Sequence, residues 1–307
     1  MSAPAPEVRG GVTGRVLYAA LFCAILPVLL MAWAAQLDAL LSLPQVGTRA
    51  GGVTLAAGGV LCMAAGMLAL WTWGRGLPMS PFPPRHLVTR GIYRLTADPI
   101  YVGAVAATAG VSIAARSPAG LWIVAPVVAI AAAAWVLGFE RDLTRRRFGV
   151  GAAPLLRLPA PVDDPPSGWE RAAVYVLVLA PWLVAYLAVE RLGVPADARS
   201  TYLEWETRLP VLPWTESVYF GTYLFVLLAP LAARRARDLR TFAMRGAWAT
   251  ALIMPFYLLV PLVAEAKAVP GDGFWQVLMR WERVGDAPVT AFPAFHLLWA
   301  CLAAAVY

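Results

Sequence analysis

Eight long apolar stretches dominate this sequence, and they constrain its fold more than any other feature. They lie near residues 16–35, 50–73, 99–115, 119–138, 171–190, 217–233, 246–264 and 289–307. Most of them approach the roughly 20 residues that a helix needs to cross a bilayer. Helices satisfy their own backbone amides within lipid, and the stretches lack the short alternating pattern of barrel strands. The sequence therefore predicts an all-α, polytopic membrane protein with about eight transmembrane helices.

The composition supports this interpretation and excludes an ordinary soluble protein. Sixty per cent of the 307 residues are apolar, 14% are charged, and the mean hydropathy is +0.67. The net charge of +7 comes from basic residues that flank the apolar stretches, so we expect a membrane partner and no nucleic acid. Cys23, Cys62 and Cys301 lie inside apolar stretches without metal-ligand spacing, so we expect no metal.

The basic residues are distributed unevenly between the two ends of the predicted helices. If the N-terminus is cytoplasmic, the inner segments carry 17 of the 25 Lys and Arg residues but only 8 of the 18 acids. Cytoplasmic loops are enriched in Lys and Arg, so the sequence predicts a cytoplasmic N-terminus. The expected location is a bacterial inner membrane, which the chain would cross several times.

A polar, Pro-rich segment near residues 150–170 interrupts the apolar pattern. It reads GAAPLLRLPAPVDDPPSG, a composition typical of a linker. The sequence therefore predicts one four-span domain over residues 1–160 and a second four-span domain over residues 165–307.

The loop after the second apolar stretch is rich in Pro, Gly and Arg, and it is long for a compact helix bundle. Connections of about 25 residues without secondary structure are usually functional. Arginines in it suit anionic groups, although a basic loop that merely fixes the topology has the same composition. His86, in this loop, is interpreted as an interfacial histidine rather than a catalytic base.

Two motifs lie at the predicted cytoplasmic ends of the second to fourth stretches. The first is Leu87-Val88-x-x-Gly91-x-Tyr93 followed by Asp98-Pro99-x-Tyr101-x-Gly103, and the second is Glu140-Arg141-Asp142-Leu143 followed by Phe148-Gly149. Together they resemble the isoprenylcysteine carboxyl methyltransferase and phospholipid methyltransferase family, over roughly residues 50–150. The resemblance implies a helical membrane enzyme that uses S-adenosylmethionine to methylate a lipid or a lipidated small molecule.

The resemblance also implies which residues bind the cofactor. Glycines would allow its close approach, tyrosines would offer it an aromatic face, and Glu140 would bind its amine or ribose hydroxyl. Arg94 or Arg141 would pair with its carboxylate. The expected cofactor-binding residues are Gly91, Tyr93, Asp98, Pro99, Tyr101, Gly103, Glu140 and Arg141.

A third motif begins the last apolar stretch. Phe292-Pro293-Ala294-Phe295-His296 resembles part of the type 2 phosphatidic acid phosphatase (PAP2) superfamily. The resemblance implies that His296 is a general acid and that a basic residue holds phosphate. Lys267 is the best candidate for that residue, with Arg280 and Arg283 as alternatives. The family's motif with the nucleophilic histidine is missing, so we expect a truncated PAP2-like domain that is inactive as it stands.

The sequence as a whole predicts an S-adenosylmethionine-dependent membrane methyltransferase fused to a partial PAP2-type lipid phosphatase or phosphotransferase domain. Two alternatives stay open at this point. One is a lipid phosphatase whose first half is not catalytic, and the other is a non-enzymatic membrane scaffold or transporter. Ion-coupled transport would favour charged residues in the middle of spans, where this chain has almost none.

Overall fold

A computed structural model of the chain describes residues 14, 17, 20–76, 84–149, 153–195, 198–260, 262–264, 266–285, 290 and 292–307. These residues are mostly helical. The helices are α1 (Leu21–Leu40), α2 (Arg49–Thr72), α3 (Pro99–Ala114), α4 (Gly120–Phe148), α5 (Gly168–Glu190), α6 (Glu216–Ala232), α7 (Ala236–Leu259), α8 (Phe274–Gly285) and α9 (Phe295–Ala304). Two-residue strands β1 (Arg199–Ser200) and β2 (Leu262–Val263) pair in parallel.

Five of the eight predicted spans are helices of at least 18 residues that are long and apolar enough to cross a membrane. These are α1, α2, α4, α5, and α6 together with the turn that precedes it (Pro213–Ala232). Two more predicted spans correspond to the shorter apolar helices α3 and α9. The last corresponds to the apolar second half of α7, whose first half carries four charged residues. The predicted all-α, polytopic membrane fold is therefore confirmed.

Four turns of π-helix interrupt the long helices of the described chain. Three of them, in α1, α4 and α5, end two residues before Pro27, Pro126 and Pro181. A proline inside a helix lacks an amide hydrogen and its ring displaces the carbonyl four residues earlier, which accounts for the wider turn. The fourth π turn, Val136–Glu140 in α4, has no proline near it. Such turns are frequent at functional sites, and this one ends at Glu140.

The described chain divides into two compact units, Met1–Pro154 and Leu155–Tyr307. The boundary falls inside the segment that the sequence predicted to be a linker, but much of that segment belongs to the second unit. Pro159 is fully buried, and its carbonyl accepts a hydrogen bond of 2.9 Å from Arg240. Ser167 and Glu170 then form a capping box that begins α5. Residues 150–152 lie outside the described residues.

Small residues bring α2 and α3 into backbone contact in the first unit. Gly52, Gly59 and Gly66 recur every seven residues along one face of α2, and each is buried. A Cβ atom on Gly59 would lie 2.4 Å from the backbone nitrogen of Ala107 in α3. Close approach of this kind replaces the hydrophobic effect as a source of helix association in lipid. Gly51 and Gly58, on the same helix, lie outside this contact.

Asp38, near the end of α1, connects that helix with the start of α4. Its carboxylate accepts hydrogen bonds from Ser117 Oγ at 2.5 Å and from the backbone amide of Ala119 at 2.7 Å. The side chain thus satisfies an amide in the first turn of a helix, a group that has no partner within the helix.

The second unit has a core of large aromatic side chains between α5, α6, α7 and α9. Trp182 lies with its ring centroid 5.2 Å from that of Trp299, and Phe242 lies 5.3 Å from Trp299. Gly246 on α7 leaves room for Trp299, because a Cβ there would lie 2.2 Å from the indole ring. Arg171 donates hydrogen bonds to the carbonyls of Pro230, Leu231 and Ala233 and so satisfies the end of α6.

Candidate active site

The segment between α2 and α3 folds back against the end of α2. The carbonyl of Gly74 accepts hydrogen bonds from the backbone amides of Arg85 at 2.8 Å and His86 at 3.3 Å. Arg75 has a positive φ of 51°, which is uncommon for a residue with a side chain. Residues 77–83 of the predicted functional loop lie outside the described residues.

A short 3-10 turn, Gly91–Arg94, follows and leads into α3. Gly91 is required there for two reasons. Its φ is +58°, and a Cβ on it would lie 2.7 Å from the ring of Trp73. The turn brings the half-buried Tyr93 against a small apolar cluster that contains Leu70, Val88 and Ile100. The sequence motif therefore fixes the position of Tyr93 beside the start of α3.

The two sequence motifs meet through a single hydrogen bond between side chains. Tyr101, in the first turn of α3, donates its hydroxyl to Oε2 of Glu140 at a distance of 2.6 Å. Glu140 lies 39 residues further along the chain, at the end of the π turn in α4. A bond this short between a phenol and a carboxylate is charge-assisted, and it orients both groups.

A second contact between the motifs lies beside the first. Arg141 Nη2 is 3.2 Å from Oδ2 of Asp98, the residue that precedes α3. The Arg141 side chain is 52% exposed and that of Asp98 is 24% exposed. An ion pair this accessible contributes little to stability, about 0–1 kcal/mol. Its more informative property is that it joins the residue before α3 to the residue that follows Glu140.

The environment of Tyr93 is electrically negative. Burial raises the pKa of its hydroxyl well above the ordinary value, and the nearby charges of Glu140 and Asp98 raise it further. The phenol therefore stays protonated under physiological conditions. The carboxylates that oppose its ionisation also favour a bound cation, such as a sulfonium or an ammonium group.

Two of the predicted cofactor-binding residues have structural roles in helix packing. Gly103 faces α2, and a Cβ there would lie 2.5 Å from the carbonyl oxygen of Gly59. Pro99 is buried, and its carbonyl accepts a hydrogen bond from the thiol of Cys62 at 3.2 Å. These contacts explain the residue types without a cofactor, and direct cofactor binding by Gly103 and Pro99 stays a prediction.

A polar cavity of about 510 Å³ adjoins this group of residues, next to the end of α2. The sequence predicted that arginines in this loop would suit an anionic group. It did not predict that two of them, Arg75 and Arg90, line a cavity together with His86. The signal in the sequence was the density of basic residues on both sides of the prolines. The cavity is lined by Thr72, Trp73, Arg75, His86, Leu87, Val88, Thr89 and Arg90. A larger groove of about 670 Å³ beside α2 and α3 is lined almost wholly by apolar side chains, so we do not consider it a candidate active site.

The residues predicted for phosphate chemistry lie in the second unit, and no hydrogen bond among the described residues joins Lys267 to His296. His296 is in the first turn of α9, and its ring centroid lies 4.7 Å from that of Tyr219. Lys267 Nζ donates hydrogen bonds to the backbone carbonyls of Glu206 and, at 2.8 Å, Leu209. The alternatives to Lys267 also bind carbonyls: Arg283 binds that of Lys267, and Arg280 those of Val269 and Gly271. A phosphate-binding role for any of them stays a prediction.

Fold and site together define a multi-pass helical membrane protein with charged and aromatic residues gathered at one end of α2, α3 and α4. Residues 48–150 match the family model described as phospholipid methyltransferase. This match covers about a third of the chain and includes every residue of the two motifs, so it supports the methyltransferase resemblance. No curated protein and no solved structure is significantly similar to the chain. The PAP2 resemblance has no such support.

Proposed function

We propose that the first unit is an S-adenosylmethionine-dependent methyltransferase that acts on a lipid or a lipidated small molecule in the membrane. The observation that carries this proposal is the hydrogen bond of 2.6 Å between Tyr101 and Glu140. It joins the two motifs that lie inside the matched residues 48–150. Because α3 and α4 each contribute one partner, the pair holds the two helices in one arrangement.

The residues present suit the chemical groups of S-adenosylmethionine. Glu140 would accept hydrogen bonds from its amine or its ribose hydroxyls, and Arg141 would bind its carboxylate. Tyr93 would offer an aromatic face to the sulfonium, in a region where Glu140 and Asp98 favour positive charge. The side chains of Arg75, His86 and Arg90 around the polar cavity suit an anionic group, which a phosphate-bearing substrate would supply.

This residue set does not need a strong base or a metal to act. The cofactor supplies an activated methyl group that a nucleophile attacks in line, so the protein contributes mainly orientation and electrostatics. The Tyr101–Glu140 bond fixes the direction of the carboxylate. The protonated hydroxyl of Tyr93 can donate a hydrogen bond but does not take up a proton.

The experiment that tests the proposal is a titration of the purified full-length protein with S-adenosylmethionine by calorimetry. We expect the unmutated protein to bind, and we expect Tyr101→Phe to weaken binding about tenfold, because a hydrogen bond to a charged group contributes about 1.5–3 kcal/mol. Glu140→Gln should weaken binding at least as much. Transfer of a radiolabelled methyl group into a total lipid extract would then test the acceptor class.

A matched control comes from the second unit. Tyr175 donates its hydroxyl to the carbonyl of Leu227 at 2.5 Å, so Tyr175→Phe removes a comparable bond away from the proposed site. This variant should bind the cofactor as the unmutated protein does. An unmutated protein that shows no binding heat and no methyl transfer would overturn the proposal.

Phosphate chemistry in the second unit is a separate candidate function. It is favoured by the position of His296 in the first turn of a helix, beside Tyr219. It also requires Lys267 to leave the two carbonyls that it binds. Release of phosphate from phosphatidic acid by the full-length protein, lost in His296→Ala, would support it. Equal release by the variant would eliminate His296 as the general acid.

A further inference from the structure

Helix α8 is strongly amphipathic and lies outside the candidate membrane spans. Its sequence is FWQVLMRWERVG. At 100° per residue, Phe274, Val277, Trp281 and Val284 fall on one face, whereas Gln276, Arg280 and Arg283 fall on the opposite face. We call the first set the apolar face of α8.

Helix α8 is held in place by the buried side chain of Met279, which is 8% exposed, and by its arginines. Arg280 donates hydrogen bonds to the carbonyls of Val269 and, at 2.5 Å, Gly271, and it also lies 3.0 Å from Asp272. Arg283 donates a hydrogen bond to the carbonyl of Lys267. The long basic side chains therefore attach α8 to the segment that precedes it.

The apolar face points away from the protein. Phe274 is 72% exposed, Trp281 is 68% exposed and Val284 is 89% exposed. In a water-soluble protein an amphipathic helix buries its apolar face and exposes its polar one. The exposure of so many large apolar side chains on one face of α8 indicates that the surroundings of this face are not water.

The apolar face continues a surface that belongs to a candidate membrane span. Trp281 stacks on Phe220 of α6, with ring centroids 6.4 Å apart and an interplanar angle of 25°. Phe220 lies near the start of the candidate span Pro213–Ala232, where Val218 and Leu224 are 59% and 61% exposed. Helix α8 therefore lies beside the first half of this candidate span.

We propose that α8 is an interfacial helix whose apolar face inserts into the boundary between lipid headgroups and acyl chains, at the end of the bilayer where α6 begins. Aromatic residues are favoured at this depth because their rings are amphipathic. A helix with one charged face and one apolar face lies in the plane of the interface. The occupant of the apolar face is thus lipid rather than another protein.

Spin labels on single cysteines in lipid nanodiscs test this proposal. The three native cysteines are first replaced by alanine, and Val277→Cys and Val284→Cys are then labelled separately. We expect both labels to collide with dissolved oxygen, which concentrates in lipid, at least three times more effectively than with a water-soluble nickel chelate. Both side chains are exposed, so the labels fit without displacing packed residues.

Two control positions calibrate the measurement. Leu224→Cys, on the exposed face of α6, should report lipid, and Asp272→Cys, whose side chain is 96% exposed before α8, should report water. Labels at positions 277 and 284 that behave like the one at position 272 would overturn the proposal. Labels shielded from both reagents would also overturn it, because they would place a protein surface over the apolar face.

Discussion

At the scale of single residues, Arg141 has a structural role and a proposed binding role that differ in size. The exposed ion pair with Asp98 is worth less than about 1 kcal/mol to folding. A charge-assisted bond to the cofactor carboxylate is worth about 1.5–3 kcal/mol. Arg141→Gln should therefore leave thermal stability nearly unchanged and weaken S-adenosylmethionine binding at least tenfold. A thermal melt measures the effect on stability, and calorimetry measures the effect on binding. If the variant binds the cofactor as tightly as the unmutated protein, another basic residue must bind the cofactor carboxylate.

Tyr93 provides a prediction about pH. Its pKa is raised in the folded state, so the unfolded chain loses the hydroxyl proton first as the pH rises. Above about pH 10, the ordinary pKa of a tyrosine, the folded state binds more protons than the unfolded one, and stability falls. Tyr93→Phe lacks this group. The melting temperature of the unmutated protein should therefore fall more steeply than that of the variant above pH 10, and parallel curves would contradict the assignment.

The motif residues could be predicted from the sequence, but their contacts could not. The resemblance to the methyltransferase family identified Gly91, Tyr93, Tyr101 and Glu140 as candidates. Glu140, which accepts the bond from Tyr101, ends a π turn in α4 that has no proline to signal it. The packing roles of Gly103 and Pro99 were equally hidden, since they depend on which face of α3 meets α2.

At the scale of helices, two adjacent glycines in α2 differ in their contact with α3: Gly59 packs against it and Gly58 does not. A Cβ on Gly59 would meet the backbone of α3, whereas one on Gly58 would meet nothing within 4 Å. Gly59→Ala should lower stability by about 1–3 kcal/mol through overpacking. Gly58→Ala should leave it unchanged or raise it by up to about 1 kcal/mol. Thermal melts in one detergent compare the two, and equal melting temperatures would mean that the helices do not touch as described.

The apolar stretches predicted the positions of the helices well, but they predicted the lengths of the helices poorly. Helix α7 extends far beyond the apolar stretch that predicted it, because Arg237, Arg240 and their neighbours stay helical outside the apolar region. The opposite happens in α9, where the described helix is only ten residues. Hydropathy reports burial in lipid, whereas helix ends are set by local capping and by contacts such as those of Arg171.

At the scale of the whole molecule, the proposed chemistry depends on which end of the helices faces the cytoplasm. The distribution of arginines predicts that Arg90 is cytoplasmic and that Asp272 is on the outer side. In a cysteine-free background, Arg90→Cys should react with an impermeant maleimide only in inverted membrane vesicles. Asp272→Cys should react only in membrane vesicles of the opposite, right-side-out orientation. Labelling of position 90 from the outer side would contradict the proposed function, because the site would then face away from the cytoplasm, where the cofactor is made.

The Pro-rich segment predicts where two four-span domains meet, and that domain assignment stays a prediction. The described units divide between Pro154 and Leu155, because Pro159 and Glu170 bind within the second unit. Pattern alone shows that a segment is polar and rich in proline. It does not show whether the segment joins two units or covers one of them.

The length of α3 has a consequence for how a substrate reaches the site. Its 16 residues extend about 24 Å, which is less than the roughly 30 Å of a hydrocarbon core. Such hydrophobic mismatch is relieved when the leaflets thin around a helix or when one helix end is submerged below the phosphates. Either response brings Tyr101, in the first turn, close to the acyl region. A lipid acceptor would then approach sideways within its own leaflet, without first being extracted into water.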